Sequence, residues 1–189
     1  MSETIHVLGI SGSLRKSSYN TALLRAAEEL LPQGVTWELY DLSPLPIYNA
    51  DVEAAGAPES VLHFKSRIAA ADALLIATPE YNYSVSGALK NAIDWASRPP
   101  QTTPLNGKPL AIMSAGGSMG GLRAQYHLRQ IAVFTNMLPL NKPELIVQAA
   151  PQKFDANGKL VDEETRQRLR ELLDALKTWT LRLRNGMRV

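Results

Sequence analysis

The chain has 189 residues, of which 45% are hydrophobic and 20% charged, a composition that suits one compact domain over 1–189 with a sizeable core. Its 20 basic and 18 acidic residues are interspersed and leave a net charge of +2, so a pI near 8.9 implies neither a nucleic-acid arm nor a membrane patch. The absence of cysteine excludes disulfides, thiolate catalysis and cysteine-ligated metals, and the absence of a long apolar run or a signal-like start leads us to expect a cytoplasmic protein.

Ile5 to Ile10 is a near-continuous apolar run of the kind found in a parallel strand covered on both faces. It leads into Ser11-Gly12-Ser13-Leu14-Arg15-Lys16-Ser17-Ser18-Tyr19-Asn20, and a helix follows from Asn20 to Leu31 with Leu23, Ala27, Leu30 and Leu31 on one face. Pro32-Gln33-Gly34 stops that helix, and Val35 to Leu39 reads as the second strand. The connection from Asp41 to Pro58 is too broken by proline and glycine for a long helix, and it reads either as a site rim or subunit contact or as plain linker. Glu59 to Ala70 is predicted helical, Ala73 to Thr78 is the third strand, and a helix from about Ala88 to Ala96 follows Pro79-Glu80-Tyr81-Asn82-Tyr83-Ser84-Val85-Ser86-Gly87. Pro109 to Ser114 is the fourth strand, Leu122 to Thr135 a helix, and Leu145 to Val147 the fifth strand. Phe154 to Lys159 reads as an exposed turn. Asp162 to Arg184 is then a closing helix that turns Leu169, Leu172, Leu173, Leu176 and Leu183 inward.

Three loops carry unusual chemistry. The first offers hydroxyls, a close-approach glycine, a cation and a helix N-terminus, which together suit a phosphate; the bland alternative is a serine-rich turn that caps the helix. It matches neither G-x-x-x-x-G-K-[ST] nor G-x-G-x-x-G. The second, after the third strand, packs aromatic and polar residues where a flat polar-edged ring can lie, though a capped turn has the same composition. The third, Ala115-Gly116-Gly117-Ser118-Met119-Gly120-Gly121, lets backbone approach a ligand or simply turns.

Alternating strands and helices predict a doubly wound α/β domain with a parallel sheet covered by helices on both faces, for which we take five strands in the order 2-1-3-4-5. Ligands in such sheets sit beyond the carboxyl ends of the strands where strand order reverses. The three loops follow strands one, three and four, neighbours at the middle of that order. They would therefore share one crevice, a combination that favours a planar cofactor bearing a phosphate.

The residues Gly12-Ser13-Leu14-Arg15 with Ser18 and Asn20, Pro79-Glu80-Tyr81-Asn82 with Gly87, Leu89-Lys90-Asn91-Ala92-Ile93-Asp94-Trp95, and Gly116-Gly117 resemble the motifs of the NADPH-dependent FMN reductase family. That family has a flavodoxin-like fold and includes quinone, azo-dye and chromate reductases. The resemblance runs from about Ile5 to Val147. It implies that Ser11, Ser13, Arg15, Ser18 and Asn20 hold the FMN phosphate, that Pro79, Glu80, Tyr81, Asn82 and Tyr83 line the isoalloxazine, and that Ser114, Gly116 and Gly117 meet its pyrimidine edge. It also implies NADPH or NADH as donor, a homodimer or homotetramer built through the helices beside the flavin, and no metal. Where members often carry proline before the glycine matching Gly87, this chain has Ser86, which we expect to leave the start of that helix less rigid.

The activity so implied is transfer of two electrons from a nicotinamide, through bound FMN, to a small acceptor: a quinone, azo compound, free flavin or metal oxyanion. Backbone N–H groups of Gly116 and Gly117 would face the charge that develops on the ring, and no side-chain acid or base is needed. His6, His63 and His127 accordingly lie outside the loops, with His6 expected to be a satisfied strand residue and His127 a helix-surface residue. Glu80 is expected to offer backbone to the ring, Asp94 to pair near its helix end, and Trp95 and Leu89 to serve core or subunit contact. The alternatives are a flavodoxin-type electron carrier, for which a net charge of +2 is a poor match to the usual acidic surface, and a flavin-free module on the same fold.

Overall fold

The computed structural model describes residues 4–186. Six parallel strands form one sheet: β1 (Ile5–Ser11), β2 (Val35–Tyr40), β3 (Ala73–Ala77), β4 (Pro109–Ala115), β5 (Leu138–Pro139) and β6 (Leu145–Val147). The order is β2-β1-β3-β4-β5, as predicted, and β6 also pairs with β4. Strand residues alternate strictly between two cores. Val7, Leu75, Ala111 and Met113 face α1 (Tyr19–Glu29) and α6 (Glu163–Gly186), while Leu8, Ile10, Leu74, Ile76, Leu110 and Ile112 face α3 (Glu59–Ala70), α4 (Gly87–Ala96) and α5 (Leu122–Thr135).

Three expectations about elements are corrected. The fifth strand position is shared: β5 pairs with Pro109 and Leu110, and β6 with Met113 to Ala115. Leu138 and Leu145 lie seven residues apart while their partners on β4, Pro109 and Met113, lie only four apart, so the segment between them must leave the sheet and one edge strand becomes two short ones. Phe154 is not exposed; it is buried against Tyr19, with ring centroids 5.2 Å apart, and pairs in an antiparallel bridge with Leu160. Of the α6 leucines, Leu169, Leu172, Leu173 and Leu176 are core, but Leu183 is only half-buried, and Thr180 and Leu181 take the inward positions there.

The 41–58 connection contains one short helix, α2 (Ala50–Ala55), and docks on α4. The Pro46 carbonyl accepts from Asn91 Nδ2 at 2.9 Å and Trp95 Nε1 at 2.8 Å, and the Tyr48 ring meets Trp95 edge-on at 4.9 Å. Trp95 and Leu89 are core residues, and Asp94 pairs with Lys90 one turn earlier. His6 bonds Thr36 Oγ1 through Nδ1 at 3.0 Å, a satisfied strand residue.

Candidate functional site

A cavity of about 400 Å3 opens at the carboxyl ends of β1, β3 and β4, and all three unusual loops contribute to its wall. Its floor begins with the loop after β1. The N–H groups of Tyr19 and Asn20, in the first turn of α1, have no partner within their helix, and they mark the positive end of its dipole. Ser18 is the N-cap, its Oγ accepting from the Thr21 N–H at 3.3 Å. The Arg15 side chain is exposed and, among the described residues, bonds only Ser17 Oγ, at 3.4 Å, so its guanidinium is available to an anion. Gly12 is required by close approach: a Cβ there would stand 2.8 Å from Pro79 Cδ, pushing the first two loops apart.

Asn20 belongs to this wall, but its amide is committed. It donates from Nδ2 to the Ala115 carbonyl at 2.9 Å and accepts from the Ala115 N–H at 3.0 Å, bolting α1 to the end of β4. The bolt sets the spacing between the serine loop and the glycine loop.

The second loop is a tight hairpin in which Tyr81 and Ser84 exchange backbone hydrogen bonds at 3.0 Å. Asn82 and Tyr83 at its tip have positive φ, 49° and 68°, as a two-residue turn of this hand demands. The hairpin is clamped to the third loop by Glu80. Its carboxylate accepts from the Arg123 N–H at 3.0 Å and from Arg123 Nη1 at 2.8 Å, and the guanidinium lies 4.0 Å above the centre of the Tyr83 ring. Burial raises the Glu80 pKa, but the hydrogen bonds and charge of Arg123 outweigh it and hold the carboxyl below the usual glutamate value. Glu80 is therefore a charged clamp at the α5 N-terminus rather than a proton donor.

In the glycine loop, Gly120 and Gly121 have φ of +60° and +89°, and a Cβ on Gly121 would fall 2.7 Å from Ser114 Cβ. The Gly116 N–H already donates to the Val147 carbonyl at 3.0 Å, so it is not free for a ligand; that of Gly117 has no partner among the described residues.

Of the residues singled out from the sequence, Ser13, Arg15, Ser18, Asn20, Pro79, Glu80, Tyr81, Gly116 and Gly117 line this cavity. Four do not. Ser11 lies behind the loop, bonded to Thr21 Oγ1 at 2.8 Å; Ser114 is fully buried and accepts from Gln125 Nε2 at 2.7 Å; Asn82 and Tyr83 form the exposed hairpin tip. The cavity also takes in Tyr19, Met119, Arg123 and Pro151. No local pattern marks Arg123 or Pro151, which arrive from a helix and from the segment after β6. His127, outside the lining, nonetheless reaches Ser84 Oγ through Nδ1 at 2.9 Å.

Ser86 corrects a further expectation. It is the N-cap of α4, accepting from the Leu89 N–H at 3.1 Å, and it also donates to the Gly12 carbonyl at 2.5 Å. The start of α4 is thus pinned to the first loop by a hydroxyl where a proline ring would pin only its own φ.

Among the described residues no cluster of histidine or acidic groups is placed to hold a metal, and no helix is long and apolar enough to cross a membrane. Residues 5–152 match the NADPH-dependent FMN reductase family. The chain is 56% identical to an NAD(P)H-dependent FMN reductase of Pseudomonas aeruginosa over 97% of this chain and 100% of that one. It is 52% identical to an NADPH:quinone oxidoreductase of Arabidopsis thaliana, with 95% and 93% covered. Among solved structures, it superposes on the flavoenzyme FerB, an NAD(P)H:acceptor oxidoreductase of Paracoccus denitrificans, with a TM-score of 0.86 and 37% identity over 95% of this chain and 98% of that one. Sheet order, loop convergence and these likenesses agree, and the chain belongs to the NADPH-dependent FMN reductase family, as an NAD(P)H-dependent flavoenzyme whose cofactor is FMN.

Proposed function

We propose that the cavity shared by the three loops is the FMN site and that the enzyme uses it to reduce small acceptors, quinones first among them. The observation that carries this reading is the convergence of an α1 N-terminus, an unpaired Arg15 and a glycine-walled slot on one cavity of about 400 Å3, within the size range of cofactor sites. The donor set fits a flavin monophosphate. Ser13, Arg15 and the N–H groups of Tyr19 and Asn20 would take the phosphate. Pro79, Glu80 and Tyr81 would flank the ring on one side, with Gly116, Gly117 and the rest of their loop on the other. Ser18 and Asn20 act through the backbone they hold in place, and Ser11 and Ser114 lie one layer behind.

When bound, FMN supplies the two-electron chemistry. The chain's part is to position and to shield. Glu80 and Arg123 hold the hairpin against the glycine loop, and the N–H of Gly117, unlike that of Gly116, is free to donate toward negative charge at the ring's edge. The one carboxylate of the lining, Glu80, is held charged by Arg123, which suits acceptors that take their protons from water. The relatives named for quinones support a quinone acceptor, and azo compounds, free flavins and metal oxyanions fall in the same class of small oxidants.

The reading takes the whole chain as one functional unit, working in the cytoplasm where reduced nicotinamides are available, as a homodimer or homotetramer. Support for assembly comes from α5, where Tyr126, Val133 and Phe134 are 50%, 81% and 77% exposed, more apolar surface than a helix of a monomer usually shows.

The test is the absorption spectrum of the purified protein, followed by chromatography of the released cofactor and by anaerobic addition of NADPH. FMN release and prompt bleaching are expected. FAD, or no flavin after reconstitution, would overturn the site assignment, and bleaching too slow to support turnover would favour the electron-carrier alternative.

A further inference from the structure

The glycine loop is held from outside, by the end of β6 and the residues that follow it. The Gly116 N–H donates to the Val147 carbonyl at 3.0 Å, the Ala149 N–H to the Gly117 carbonyl at 3.0 Å, and the Ala150 N–H to the Gly116 carbonyl at 2.9 Å. Gly120 lies flat on the same segment, since a Cβ there would stand 3.0 Å from the Val147 carbonyl oxygen. Residues 147–150 therefore grip both of the loop's first two glycines.

The grip depends on Ala149, whose φ of 48° and ψ of 43° are left-handed. Four non-glycine residues among those described have positive φ, and three have a local reason for it. Asn82 and Tyr83 form the hairpin turn, and Asn136 is the C-cap of α5. Ala149 precedes a single 3-10 turn, Ala150–Gln152, a position that extended backbone normally fills. It has no polar side chain to offset a conformation that brings its Cβ too close to the backbone. What the conformation achieves lies in its neighbours: two successive N–H groups, those of Ala149 and Ala150, reach the carbonyls of Gly117 and Gly116. Strain kept at the rim of a site points to a task there.

The task follows from covalent geometry. In a trans peptide the C=O and N–H point in opposite directions. The unit joining Gly116 to Gly117 has its carbonyl held by Ala150, so it turns the Gly117 N–H away from the 147–150 segment. That N–H has no partner among the described residues, Gly117 lines the flavin cavity, and a Cβ on it would meet nothing within 4 Å. The room beside it is open to a ligand. A bond accepted at the carbonyl also polarises the peptide unit and strengthens its N–H as a donor.

We propose that Ala149 is a positioning residue for the flavin chemistry. Its left-handed backbone fixes the Gly117 N–H as the donor that meets negative charge at the edge of the reduced ring, and so sets how much more tightly reduced than oxidised FMN is held. Ala149 is not among the residues that line the cavity, so it acts through Gly117. The proposal rests on the assignment of that cavity to FMN.

The experiment measures the midpoint potential of bound against free FMN for the wild type, Ala149→Gly and Ala149→Val. Glycine adopts the left-handed region freely, whereas β-branched valine is an outlier there. Ala149→Gly should keep the wild-type potential and, as apoprotein, a urea midpoint at least as high. Ala149→Val should weaken the binding of reduced FMN about tenfold more than that of oxidised FMN, a fall of about 30 mV for a two-electron couple. Equal weakening of both states, with the potential unchanged, would show a merely structural role and overturn the proposal. So would a potential lowered as far by glycine as by valine. If the valine variant does not fold, NMR of isotope-labelled wild type decides. On reduction of bound FMN the Gly117 amide proton should shift well beyond that of Gly116, which donates to Val147, and equal shifts would overturn the proposal. Failure of the wild type to take up FMN would instead remove the cavity assignment itself, and this role of Ala149 with it.

Discussion

Ser86 offers the sharpest test of how the site is held together, because one buried hydroxyl does two jobs there. Ser86→Ala removes the cap on the Leu89 N–H, which typically costs about 1 kcal/mol, and strands the buried Gly12 carbonyl, for which the penalty is about 1 to 3 kcal/mol. With the side chain only 3% exposed, water replaces the hydroxyl poorly. The sum is about 2 to 4 kcal/mol. Ser86→Pro separates the contributions. The native φ of −65° already suits proline, so the lost hydrogen bonds are partly offset by about 0.4 to 1 kcal/mol from a stiffer unfolded chain. Stability should therefore rank wild type, then Ser86→Pro, then Ser86→Ala. Urea unfolding of the apoproteins at neutral pH, compared by midpoint at constant slope, reads the ranking. FMN affinity should fall in the same order, since Gly12 belongs to the loop that Ser86 anchors. A proline variant as stable as the wild type would show that the bond to Gly12 contributes nothing net, and the anchoring argument would be refuted.

Arg15→Ala should raise the FMN dissociation constant about tenfold to a hundredfold, the loss of one or more charge-assisted hydrogen bonds, while Lys16→Ala changes it little; fluorescence titration of apoprotein measures both, and equal small effects would remove the phosphate assignment. Steady-state kinetics should give parallel double-reciprocal lines, because donor and acceptor must use the same open side of the cavity in turn; intersecting lines would show both bound together. Asp162, hydrogen-bonded by Lys153 and by Thr165 at the start of α6, has its pKa lowered to about 2. A depressed carboxylate adds stability above its unfolded value, near pH 4, and that contribution is lost as pH falls toward 2. The stability gap between wild type and Asp162→Ala should accordingly be full at pH 7 and narrow across that window, and a gap that does not change with pH would refute the assignment. Phe154→Ala should destabilise by about 3 to 5 kcal/mol, as for a buried aromatic; an effect under 1 kcal/mol, which an exposed turn residue would give, would contradict its packing on Tyr19.

What was legible in the sequence was whatever local periodicity encodes. Apolar runs of strand length, amphipathic helices and the prolines and glycines between them were enough to predict the parallel sheet, and the resemblance to a flavodoxin-like family agreed with its order. Strand order in turn places the loops after β1, β3 and β4 side by side, so the identity of the site's three walls followed from topology alone. The finer assignments depended on partners far along the chain. Asn20 bonds Ala115 and Ser86 bonds Gly12, contacts that no window around either residue reveals. Ser114 was implied by the resemblance yet turns inward to Gln125, because alternation along β4 put that side chain behind the strand end rather than at the cavity. Arg123 was missed for the opposite reason: its position in α5 looks like any helix surface until the hairpin bearing Glu80 and Tyr83 folds over it. Phe154 and the split edge of β5 and β6 follow the same rule, since burial and strand pairing are settled by which segments meet. Sequence determined the elements and the chemistry each loop could offer. Tertiary structure decided which groups remain free for a ligand, because a hydrogen-bonding group already satisfied by the fold is no longer available to it.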